Sequence, residues 1–310
     1  MSALRHWALL GLAALLSACA GPRISLPDAQ TLAGLPSRHL LQDVPFFAQD
    51  AYQCGPAALA MMLNQRGIVT APENLVARVY LPARKGSLQV EMVAAAREQG
   101  LLIYPLRPEL STLLEELAAG NPVLVMQNLA LDWLPQWHYA VAVGYDLDRQ
   151  TLLLHSGLHA LQATPFDVFV RTWARADYWA RLTLPPDRLP ASAEPLAYLR
   201  AASDLEQTGQ LAAAAQAYRA ALTRWPDQPA ARLGLGNVAW ARGDRRGALT
   251  HFRALVRDFP AIAAGWNNLA VGLEAVGCPA QAARARRCLH AVQAAAGGEA
   301  AAHCAVPDCP

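Results

Sequence analysis

The residue that could do chemistry first is Cys54. It lies in Gln49-Asp50-Ala51-Tyr52-Gln53-Cys54-Gly55-Pro56-Ala57, where a loop runs into a segment of helix formers ending near Gly67. Pro56 has a fixed φ and no N–H to satisfy, which suits the first helical turn. Cys54 is therefore expected at a helix N-terminus, where the partial positive charge of the helix dipole favours thiolate, the nucleophilic form. Gln49 lies five residues upstream and offers an amide for an oxyanion. Far downstream, His138 opens the apolar run His138-Tyr139-Ala140-Val141-Ala142-Val143-Gly144-Tyr145-Asp146, a strand that could carry a general base. The order is Gln, then Cys on a helix, then His on a strand, which supplies an oxyanion donor, a thiol nucleophile and a base.

The Gln-x-x-x-x-Cys-Gly-Pro-Ala-Ala-Leu-Ala block and the His-Tyr-Ala-Val-Ala-Val-Gly-Tyr-Asp block together resemble bacteriocin-processing (double-glycine) peptidases, and most closely their C39-like relatives. The resemblance runs from about Val44 to Leu184. It implies an α+β papain-like cysteine peptidase domain with Cys54 as nucleophile, His138 as base and Gln49 as oxyanion donor. The chain departs from the family in two ways. The Gln-to-Cys spacing is one residue short, so Gln53 or a backbone N–H would share the work of Gln49. The family's Asp or Asn after the His strand is replaced within Thr151-Leu152-Leu153-Leu154-His155-Ser156-Gly157, where His155 or Ser156 holds the expected orienting position. Asp146 is a third candidate, in a turn context. The chain therefore reads as a peptidase with a weaker orienter or as a peptidase-like domain that only binds.

The elements that must position these groups follow in order. Asp43–Phe47 reads as a short strand leading into the domain. Helices are expected at 57–65, from Pro72 through Val79, from Ser87 as N-cap to Gly100, and over Glu109–Ala119. Strands are expected at 101–106, 122–129, 140–145, 151–154 and 178–184, with a short helix at 166–173. Trp133 and Trp137, just before His138, either line a substrate groove or cap the sheet. His159 reads as a surface loop residue. No His, Cys, Asp and Glu grouping has metal-site spacing, so neither metal nor other cofactor is expected.

The chain has 310 residues and a net charge of +2, enough for two domains and no argument for a nucleic-acid partner. Residues 1–18 read as a signal peptide, and Leu16-Ser17-Ala18-Cys19 resembles a bacterial lipoprotein box. That implies lipidation of Cys19, and Ala20 after it favours the periplasmic face of the outer membrane. Residues 19–41 read as a tether, 42–184 as the peptidase-like domain and 185–194 as a Pro-containing linker. Residues 195–293 carry a 34-residue period: Gly209, Gly243 and Gly277, then Trp225 and Phe259, then Tyr218 and Phe252. This resembles three tetratricopeptide repeats, an all-α domain that would bind a protein partner or the peptide substrate on its concave face. Asn267 and Asn268 are candidates for peptide contact or for bonding between helices. Gly297-Gly298 in the tail (294–310) reads as a helix-ending linker. Cys278, Cys288, Cys304 and Cys309 form an even set suited to two disulfides, with three possible connectivities.

Overall fold

The computed structural model describes residues 26–48, 53–294, 304 and 306. Gln49, Cys19, Cys309 and Gly297-Gly298 lie outside them. Nine residues of α1 (Cys54–Gln65), Gly55 through Leu63, are buried, so this helix is the core around which the first domain folds. Small residues on several faces let sheet and helices approach it closely. A Cβ on Gly55 would come within 2.2 Å of the Ser87 hydroxyl. Around α1 pack α2 (Glu73–Val79), α3 (Gln89–Glu98) and α4 (Leu110–Ala118).

The sheet is antiparallel and runs β2 (Leu102–Pro105), β7 (Ala180–Leu184), β3 (Val123–Asn128), β4 (Trp137–Asp146), β5 (Thr151–Ser156), β6 (His159–Pro165). Strand β1 (Arg38–Leu40) pairs with the last residues of β4, continuing the position that β3 holds along its first half. Helix α5 (Phe166–Ala174) follows β6. Continuous apolar runs such as Tyr139–Tyr145 are buried on both faces, which their lack of alternation foretells.

Three local expectations are corrected. The strand before the domain lies at Arg38–Leu40, within the segment read as tether, and Asp43–Phe47 forms none. Leu32 and Leu35 already pack on the core, and the carbonyl of Val44 is taken by a side chain instead of a ladder. Ser87 caps nothing: α3 starts at Gln89 behind Leu88, and the Ser87 hydroxyl is buried without a hydrogen-bond partner. His159 begins a strand, β6, whose largely exposed residues carry no periodic signal. The linker is held in place: buried Glu116 accepts hydrogen bonds from the Ser192 N–H and hydroxyl and from Ala191 N–H, and Tyr104 Oη accepts from Glu194 N–H.

The second half is all helix: α6 (Pro195–Gln207), α7 (Leu211–Arg224), α8 (Pro229–Ala241), α9 (Arg245–Asp258), α10 (Ala263–Ala275) and α11 (Pro279–Ala294). Gly209, Gly243 and Gly277 each turn one helix into its partner at φ +80, +82 and +82, a conformation natural to glycine alone. Tyr218 and Phe252 press on Gly234 and Gly236, where a Cβ would come within 2.2 and 2.3 Å of the rings. The first repeat shares one apolar core with the sheet domain through Tyr198 and Leu199, and Arg97 pairs with Asp204 at 2.7 Å across the join. Cys288 is bridged to Cys304, tying α11 to the tail, and Cys278 is also disulfide-bonded.

Candidate active site

Cys54 is the first residue of α1, behind Gln53 as N-cap. The N–H groups of Tyr139, the residue after His138, of Gly55 and of Cys54 itself bear on the sulfur and favour its anion. Cys54 at the helix start and Tyr139 of β4, 85 positions apart in the chain, thus come together. Burial nevertheless pushes the Cys54 thiol above its ordinary value, and this outweighs the three N–H donors. The expectation that the helix start favours thiolate is corrected: desolvating an anion costs more here than the helix terminus returns.

His138 is the second residue of β4 and half-buried. Its Nε2 lies 2.9 Å from the Ser156 hydroxyl at the end of β5. With Nε2–H donating to Oγ, the lone pair is on Nδ1. Burial lowers the pKa of His138. Ser156 is neutral, so it orients the ring without favouring imidazolium as a carboxylate would. Thiol and imidazole both rest uncharged.

Of the three orienter candidates, only Ser156 reaches His138. His155 faces elsewhere: Nε2 lies 3.2 Å from the Val44 carbonyl and Nδ1 accepts the Leu161 N–H at 3.3 Å, with the ring against Phe46. One donor and one acceptor bond fix a neutral tautomer, and burial lowers its pKa. Asp146 is at the other end of β4, about 27 Å away along the strand, paired with Arg38 at 3.0 Å and accepting Arg149 N–H. Gln49 falls outside the described residues. The side chain of Gln53 makes no cap bond.

Some neighbours were not singled out from the sequence. Gln127 stands opposite His138 in the ladder and donates to Thr172 at 2.6 Å. Tyr139 donates its hydroxyl to the Ser87 carbonyl, pinning the α3 approach against β4. Sequence offers no signal for either, since both depend on strand register. Trp133 and Trp137 do not cap the sheet: both are exposed, and Trp137 lines a cleft of about 1100 Å³. Asn268 donates to Asn237 at 2.9 Å and so serves the stack itself, while Asn267 is exposed and donates to Asn268 on its own helix. Among the described residues no group of His, Cys, Asp and Glu could hold a metal ion, and Cys54 is the free cysteine.

The profile of the peptidase C39-like family matches residues 41–180, and that of tetratricopeptide repeats matches 199–244 and 233–275. The chain is a peptidase C39-like domain joined to tetratricopeptide repeats. The C39-like domain is thus of cysteine-peptidase kind. Solved structures with similar folds include a C39-like peptidase from Bacillus anthracis (18% identity, TM-score 0.40, covering 47% of this chain and 97% of that one). A double-glycine-motif protease from an AMS/PCAT transporter, in complex with a leader peptide, is 20% identical (TM-score 0.34, 47% and 95%). The peptidase domain of Streptococcus ComA, a bi-functional ABC transporter involved in a quorum-sensing pathway, is 19% identical (TM-score 0.37, 46% and 98%). Comparison with curated proteins finds no match.

Proposed function

We propose that the C39-like domain is a working cysteine peptidase that cleaves exported polypeptides, held at the periplasmic face of the outer membrane by lipid on Cys19. The observation that carries this reading is the Tyr139 N–H on the Cys54 sulfur, beside a His138 already oriented by Ser156. Because both groups rest neutral, the thiol proton passes to Nδ1 of His138 as sulfur attacks the carbonyl carbon. The oxyanion meets the N–H of Cys54 at the helix start, with Gln49 the further donor implied by the family. His138 then protonates the departing amine, and water cleaves the thioester with His138 again as base. The repeats recruit the substrate or a partner protein, as helical stacks of this kind do.

A second reading is a binding adaptor with little catalysis. The raised thiol and uncharged orienter favour it. Alkylation of Cys54 by iodoacetamide, followed against pH, separates the two. In a peptidase the rate carries an acid limb set by His138, below the ordinary histidine value, and His138→Ala removes it. A thiol whose titration is identical in His138→Ala, in protein that also leaves a pool of secreted polypeptides uncut, would establish the adaptor.

A further inference from the structure

The loop between β3 and β4 exposes large apolar side chains immediately before His138. Leu131 is 54%, Trp133 79%, Leu134 62% and Trp137 51% exposed. The loop is nonetheless built. Buried Asn128 accepts the N–H groups of Ala130 and Gln136 at 3.1 and 2.9 Å and reaches the Leu131 carbonyl. Leu129 N–H closes on Gln136 O at 2.9 Å, Leu134 N–H on Leu131 O at 3.1 Å, and Arg175 holds the Asn128 carbonyl. A fold that holds indoles and leucines in water pays for their hydration, which marks an interaction surface.

The place where the chain leaves the described residues indicates what covers it. Leu26 and Pro27 line the same cleft as Asp132 and Trp137. Leu26 lies seven positions after Cys19, a reach of about 25 Å at most. A lipid on Cys19 therefore brings this face within reach of the bilayer. Indoles and leucines are the side chains that settle at a lipid–water interface. The charged neighbours do not add an anionic-lipid site: Asp132 is acidic, Arg171 is paired with Asp167, and Arg175 is spent on Asn128.

We infer that the 129–137 loop docks in the lipid surface through Trp133 and Leu134, resting on the proposed anchor at Cys19, and so holds the Cys54–His138 site at headgroup level, where it meets polypeptide emerging from or lying on the membrane. Docking is apolar and insensitive to salt.

The test uses the mature chain on vesicles of phosphatidylethanolamine and phosphatidylglycerol whose acyl chains carry bromine, a contact quencher of indole emission. Emission falls relative to unbrominated vesicles, and Trp133→Phe removes most of the fall; Trp133 is exposed enough that this change leaves the fold intact. For chain beginning at Ala20, which has no acyl group, Trp133→Ser with Leu134→Ser lowers the fraction floating with vesicles roughly tenfold, at low and high salt alike. Equal quenching in wild type and Trp133→Phe overturns the inference. So does shielding of Trp133 from aqueous acrylamide that requires added peptide, or that rises with protein concentration alone, since those mark a substrate or a second copy as occupant. The mass of the N-terminal peptide reports the anchor separately. Unmodified Cys19 with quenching intact refutes the anchor and supports the loop; acylated Cys19 without quenching refutes the loop.

Discussion

In the repeat half of the chain the contacts that hold the fold lie within one 34-residue period. Tyr218 meets Gly234, Phe252 meets Gly236, and Asn237 meets Asn268. In the sheet half decisive contacts leap: Cys54 to Tyr139 and Val44 to His155. The repeat stack is built as a sum of neighbours, and damage to one unit stays near that unit. The site of the C39-like domain exists only if a helix start and two strand ends converge, so it tolerates almost no local error. The join blurs this contrast at one place, because the first repeat shares its core with the sheet and the linker hangs on Glu116.

The largest effect should come at the site. Cys54→Ala or His138→Ala is expected to lower peptide cleavage by at least about a thousandfold while leaving the melting temperature unchanged. A comparable loss from a change in the last repeat would break the contrast between the halves. Trp266, buried in the third repeat, should cost about 3–5 kcal/mol as Trp266→Ala. Denaturant unfolding would then show the distal repeats melting before the sheet domain, whose thiol reactivity persists. Cys304→Ser opens a short loop, and should cost about 3 kcal/mol in the same distal unit.

Smaller effects sharpen the view of the site. Ser156→Ala is expected to lower kcat about tenfold, and Ser156→Asp to raise the pKa of His138, moving the acid limb of kcat/KM upward from its position below 6.5. An unmoved limb would mean that Ser156 does not orient the base. Last comes His155, which is kept neutral. Its folded pKa is lowered, so the unfolded chain binds the proton more readily, and stability falls as pH drops through and below 6.5. His155→Gln should flatten that acid slope, measured as melting temperature between neutral and mildly acid pH, and leave cleavage at neutral pH nearly unchanged.

What could be read from the residues alone is what short-range chemistry encodes. Glycines at a fixed period foretold the repeats because only glycine is relaxed at φ near +80. Pro56 and the helix formers after it placed Cys54 at a helix start, and an unbroken apolar run placed His138 on a buried strand. Strand register was beyond reach, because a one-residue slip exchanges which side chain faces which. It was tertiary structure that chose Ser156 over His155 as the partner of His138 and sent His155 to the Val44 carbonyl. The charge state of the thiol was beyond reach for a related reason. A helix terminus is visible in sequence, but the depth at which the fold buries it is not, and at Cys54 burial decides the sign.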